Sequence, residues 1–187
     1  MRHRPLSLPL LAALASLAAC AALPPGEPLP TLAQPAAGAA DPTRQAVLSA
    51  AASFANPSAL AGRPADAARA AAQLEYLAAV LPSDQRWIGA TPTLFSQLAQ
   101  ARSDLRSALG IAPAAPPATT VRSLSEAADA LDQGSRAGAV AALTPVAPGG
   151  GAAVLDRLER LPPLPRAASA TRSAQQEMLE MDLRDPF

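Results

Sequence analysis

The sequence predicts an all-α fold, a small alanine-rich bundle of five to seven short helices behind a disordered tether. Three observations lead there. Alanine supplies 49 of the 187 residues, while Val and Ile together supply only eight, so the β-branched side chains that suit a pleated sheet are scarce. Ala, Leu, Arg, Gln and Glu, which dominate the body of the chain, lose little on entering a helix. Apolar residues recur at intervals of three and four between breaks made by Pro and Gly, which is the period of a helix with one buried face.

The first element is not part of the bundle. Arg2 and Arg4 precede an apolar run over residues 5–19, and the first acid is Glu27. A run of about 15 residues falls short of the roughly 20 that a permanent transmembrane helix needs. A basic start, a short apolar middle and small residues at its end are the layout of a secretory signal peptide. The end reads Leu17-Ala18-Ala19-Cys20, which resembles the lipobox of bacterial lipoproteins. That resemblance implies cleavage before Cys20, a diacylglycerol on its thiol and acylation of the new amino group. The competing assignments are a membrane-spanning anchor and a cysteine that merely closes an apolar run. Residue 21 is Ala rather than Asp. By the same resemblance, this directs the protein to the periplasmic leaflet of the outer membrane.

Residues 20–40 form the second element. Pro24, Pro25, Pro28, Pro30 and Pro35 forbid a helix and favour an extended tether, which at about 3.1 Å per residue reaches roughly 60 Å. The folded domain then spans 41–187. Asp41-Pro42 pairs an N-cap acid with proline at the first helical position, and Asn56-Pro57 stops that helix near residue 55. A second helix covers 64–80, with Ala67, Ala70, Ala71, Leu74, Leu77 and Leu81 on one face. A third opens at Thr91-Pro92, carries the stripe Leu94, Leu98, Leu105 and Leu109, and stops at Gly110.

Residues 112–120 read as a Pro/Ala loop, and Ser123-Leu124-Ser125-Glu126 as a capping box that starts a helix ending at Gly134. A short segment over 136–143 follows, with Pro148-Gly149-Gly150-Gly151 as a hinge. Two more helices span about 152–161 and 166–183, separated by Pro162-Pro163. Short loops between amphipathic helices favour an antiparallel bundle. No motif repeats with a period of 30 to 45 residues, so a helical solenoid has little support.

Composition narrows the chemistry. Without residues 1–19 the chain keeps 13 Arg against 15 Asp and Glu, a net charge of −2, and has no lysine. That balance, together with an exported location, argues against nucleic acid as a partner. The resemblance implies that the one cysteine carries the lipid and that the one histidine, His3, is removed with the signal peptide. The remaining chain therefore lacks the usual zinc ligands and cannot build a Ser-His-Asp or Cys-His nucleophile. No metal, cofactor or catalytic site is expected. Gly149-Gly150-Gly151 lacks the Lys and Ser/Thr of a phosphate-binding loop.

Two groups of residues remain as candidates. Asp84, Arg86 and Trp87, in a polar turn holding the only Trp, could form a partner-binding site, since Trp and Arg anchor interfaces. Alternatively Trp87 and Ile88 plug the end of the bundle while Asp84 caps a helical turn. Carboxylates are the only acid–base groups left, and Glu75, beside Tyr76, and Glu177, Glu180 and Asp182, clustered on the last helix, are the ones placed to be candidates. A pair of carboxylates can hydrolyse a glycosidic bond, which makes a peptidoglycan-acting hydrolase the alternative function. Met178 and Met181 suit core filling, and Asp185-Pro186-Phe187 is either a docking tail or a loose end. The reading that follows is a lipid-anchored envelope protein that acts by binding, in a structural or accessory role. Its partners would be the membrane, through Cys20, and an envelope protein.

Overall fold

The computed structural model describes residues 28–32 and 41–184. The expected signal peptide over residues 1–19, Cys20 and the terminal Asp185-Pro186-Phe187 lie outside these residues, as does most of the tether. Among the described residues there is no strand. Seven helices follow one another: α1 Pro42–Ala55, α2 Pro64–Val80, α3 Pro92–Leu109, α4 Pro117–Asp132, α5 Arg136–Leu143, α6 Gly151–Glu159 and α7 Pro165–Arg184. The all-α bundle is as the composition predicts.

Proline sets most of the starts. Five of the seven helices, α1, α2, α3, α4 and α7, begin with it. Its fixed φ is helical, and its missing N–H would have had no partner in the first turn. Asp41 caps α1 by accepting from the Thr43 N–H at 3.0 Å, and Ser135 caps α5 by accepting from the Gly138 N–H at 3.1 Å. Gly110 ends α3 in the left-handed region, φ 70°, and the next amide, that of Ile111, turns back to the Arg106 carbonyl at 2.9 Å.

α2 is the centre of the molecule and packs against α1, α3, α4 and α6, most heavily against α4. Its buried residues include Ala67, Ala68, Ala70, Ala71, Ala72, Leu74, Leu77 and Ala78, which occupy most of its circumference, as expected of a helix surrounded by others. The faces predicted for α2 and α3 are the buried ones: Leu74, Leu77, Leu81, Leu94, Leu98, Leu105 and Leu109 are all fully enclosed. Each stabilises by about 1.5–3 kcal/mol relative to an exposed side chain. Tyr76 and Thr43 bridge α2 to α1, their hydroxyls 3.1 Å apart in the interior. α7 lies against α1 and α3, and α5 sits on α4 and α6. Met178 is buried, and Met181 packs partly buried against the core.

Three expectations change. α4 begins at Pro117, not after Ser123, so the supposed capping box is helix interior and Ser123 is buried. Pro117 occupies the first helical position, and the buried set Thr120, Val121, Leu124, Ala127 and Ala128 carries the helical period back before Ser123. Of the glycine run expected as a hinge, Gly149 and Gly150 have room around them, but Gly151 is a packing corner. Gly151 is the first residue of α6, and a Cβ there would lie 2.0 Å from the Val140 carbonyl oxygen, so only hydrogen fits where α6 meets α5. α6 also ends at Glu159, two residues before the predicted stop.

The described part of the tether is seated on the bundle. Two of its five residues make the contact: Pro30 is buried and Leu32 packs partly buried against the core, while Pro28, Leu29 and Thr31 between and before them are exposed. Residues 28–30 lie beside Ala78 and Ala79 of α2 and Pro117 of α4. Leu32 lines one hollow with Ala46 and Ser49 of α1, Ala72 of α2 and Ser125 of α4. The segment therefore runs along the α2–α4 groove, against the direction of α2 and with that of α4.

Candidate functional site

The turn between α2 and α3 consists of two short 3₁₀ turns, Leu81–Ser83 and Gln85–Trp87. Asp84 separates them with extended backbone, and its carboxylate accepts from the Arg86 N–H at 3.0 Å, so it caps the second turn. Asp84, Arg86 and Trp87 are adjacent in the fold, but they point in different directions. Trp87 faces inward and is 3% exposed, whereas Ile88 is 82% exposed. Of the two residues expected to plug the bundle end, only Trp87 does so. The tight turn rotates Ile88 outward into solvent.

Arg86 lies on the surface and holds two acids. Its Nη2 donates to Asp41 Oδ1 at 3.1 Å and to Asp84 Oδ2 at 3.2 Å, and its Nη1 donates to Asp41 Oδ2. Partial burial alone would raise the Asp41 carboxyl pKa. The hydrogen bonds from Arg86 and the Thr43 amide outweigh burial and hold it below its ordinary value. The hydrogen bond to Asp41 likewise raises the Arg86 guanidinium, against the opposing effect of burial. Asp41 thus caps α1 and anchors the turn between α2 and α3. The arrangement fixes a corner of the bundle, with Ile88 as its exposed apolar side chain.

A second charged cluster is wholly internal. Glu75, midway along α2, is 0% exposed, and Arg106, in the last turn of α3, is 6% exposed. Arg106 Nε donates to Glu75 Oε1 at 2.6 Å and Nη2 to Oε2 at 2.7 Å, the two-pronged geometry that suits guanidinium and carboxylate. Nη1 donates to the carbonyls of Pro113 and Ala115, both at 2.8 Å. The pair locks the α3–α4 loop onto α2 and leaves neither carboxylate oxygen free for acid–base work. Glu75 was legible as an isolated acid inside an apolar run. Arg106 was missed, although it sits three residues before Leu109 on the border of the buried stripe.

The remaining carboxylates do not converge. Glu177 accepts from the Thr91 N–H at the start of α3, 3.4 Å away. Glu180 pairs with Arg184 at 2.9 Å, and Asp182 with Arg44 of α1 at 2.5 Å. Among the described residues no three His, Cys, Asp or Glu side chains are grouped to hold a metal ion. A shallow hollow of about 330 Å³ lies between α1, α2 and α4 beneath Leu32. On its wall the amide oxygen of Gln73 is buried without a hydrogen-bond partner.

Among the described residues no single helix is long and apolar enough to cross a membrane. α5 and α6 together have the composition, but they meet at 112° and bury Leu143, Val154, Leu155 and Leu158 in the core. Large apolar side chains stand in solvent at Leu29, Ile88, Leu179 and Leu183, and Leu48 is partly exposed. No family model matches the chain, and neither the curated proteins nor the solved structures contain a match to it.

Proposed function

We propose that this chain is a lipid-anchored protein of the bacterial cell envelope, held in the periplasmic leaflet of the outer membrane, that acts by binding in a structural or accessory role. The observation that carries the reading is Leu17-Ala18-Ala19-Cys20 at the end of a short apolar run behind two arginines. The folded body is consistent with a contact function. It is a solid bundle whose buried ion pair is satisfied internally, and its exposed face includes large apolar side chains. The alternative, a carboxylate hydrolase, gains no support from Glu75, whose two oxygens are both held by Arg106.

The test is metabolic labelling with a fatty acid in a bacterium that processes lipoproteins. Wild-type chain should incorporate the label and shift to the processed size. Cys20→Ala should do neither. Equal labelling of the two chains, or none in either, defeats the proposal.

A further inference from the structure

We infer that residues 28–32 act as a strap that shortens the tether, so that the end of the bundle carrying Ile88 and Leu183 rests on the lipid bilayer. The inference rests on the lipid-anchoring reading of Cys20 and adds to it a membrane-facing surface.

Tether length comes first. A chain free from Cys20 to Asp41 would reach about 65 Å at 3.1 Å per residue. With Pro30 buried and Leu32 on the core, only the eight residues from Cys20 to Pro28 can span to the membrane, about 25 Å at most. Both Pro28 and Pro30 restrict the backbone to an extended form, which lowers the entropy lost when the segment settles into its groove.

The exit point then selects a face. Pro28 leaves the body beside Ala78 and Ala79, within the last turn of α2. The far end of α2 lies at Pro64, 15 residues before Ala79, roughly 22 Å further from the anchor at 1.5 Å per residue. Three contacts gather other elements at the near end. Arg86 holds Asp41 at the start of α1, Arg44 holds Asp182 near the end of α7, and the Thr91 amide at the start of α3 donates to Glu177. This end therefore carries Ile88, 82% exposed, and Leu183, 81% exposed, with Leu179 one turn earlier on α7 at 46%.

Charge permits the contact. Arg86, Arg44 and Arg184 each already hold a carboxylate, so the rim is largely compensated within itself. The isoleucine and leucines are then the groups that gain by leaving water, as amphipathic surfaces do when they lie in the bilayer interface. A zwitterionic surface fits better than an anionic one, because the acids here outnumber the arginines.

The experiment uses the full lipidated chain reconstituted into phosphatidylcholine/phosphatidylethanolamine vesicles. With Cys20 acylated, an introduced cysteine is the only free thiol. An environment-sensitive dye is placed in turn at Ile88→Cys, Leu183→Cys and Ser58→Cys, the last in the turn before α2 at the far end. Nitroxide-labelled lipid should quench the dyes at positions 88 and 183 and leave position 58 bright. Leu32→Asp, which expels the strap, should abolish most of the quenching at 88 while the protein still floats with the vesicles. Equal quenching at all three positions, or none in protein that floats, overturns the inference. So does quenching at 88 that is unchanged by Leu32→Asp, or protection of that position only when a second envelope protein is added. Failure to float at all instead strikes the lipid-anchoring reading, so the two failures are distinguishable.

Discussion

The guanidinium of Arg86 lies on the carboxylate of Asp41, 45 residues earlier in the chain, and joins the turn between α2 and α3 to the first turn of α1. The contact makes stability depend on acid. Asp41 has a folded-state pKa below its ordinary 3.8. A depressed carboxyl contributes stability that is fully present above the unfolded value and is lost as pH falls through the folded one. Wild type should therefore lose part of its margin as pH drops below 3.8. Asp41→Asn keeps a good N-cap but loses the charge. Melting curves should separate the two proteins by about 0.5–1 kcal/mol near neutrality, a small gap because Arg86 is largely in water. They should converge in strong acid. A gap that stays constant with pH would show that the ionised carboxylate is not what matters.

The interior pair calls for a double-mutant cycle by urea unfolding. Arg106→Met alone should cost about 3–5 kcal/mol, since it leaves Glu75 buried without a partner. Glu75→Leu with Arg106→Met removes both charges and should recover much of that loss. Recovery should stop short of wild type, because the carbonyls of Pro113 and Ala115 lose their donor, at about 1–3 kcal/mol for a buried unsatisfied group. A double variant as stable as wild type would mean that Arg106 does not hold the loop.

Trp87 offers an optical check, since it is the only tryptophan. Its burial predicts blue-shifted emission that acrylamide quenches weakly. Trp87→Ala should cost about 3–5 kcal/mol, as for other large aromatics removed from cores. Its neighbour Ile88 makes the internal control, and Ile88→Ala should change stability by no more than about 0.5 kcal/mol. Similar effects from the two substitutions would mean that the turn is oriented differently.

The helices were legible because their signals are local. Pro42, Pro64 and Pro92 sit at first helical positions, and the leucines of α2 and α3 repeat at the spacing of one face. The start of α4 was misread because Ser123 and Glu126 imitate a capping box. The stronger signal was Pro117, which extends the same buried face backwards. What was not legible depends on register between distant segments. Nothing near Arg106 in sequence says that the last turn of α3 lies level with Glu75. Nothing near Asp41 says that Arg86 will reach it. The opposite fates of Trp87 and Ile88 are set by one 3₁₀ turn, Gln85–Trp87, that opens at Asp84 and closes at Ile88, and no periodic pattern records it.

The alanine packing at the centre of the bundle also bears on how the protein responds to temperature. The heat capacity of unfolding comes mainly from apolar surface newly exposed to water, and ordinary domains gain about 12–15 cal/mol/K per residue. α2 buries methyl groups at Ala67, Ala68, Ala70, Ala71, Ala72 and Ala78, where a leucine-rich helix would bury much larger side chains. Less apolar area per residue means a smaller increment, so the enthalpy and entropy of unfolding drift more slowly as the temperature changes. The stability curve should therefore be low and broad, with a modest margin over a wide thermal range instead of a sharp peak near one temperature.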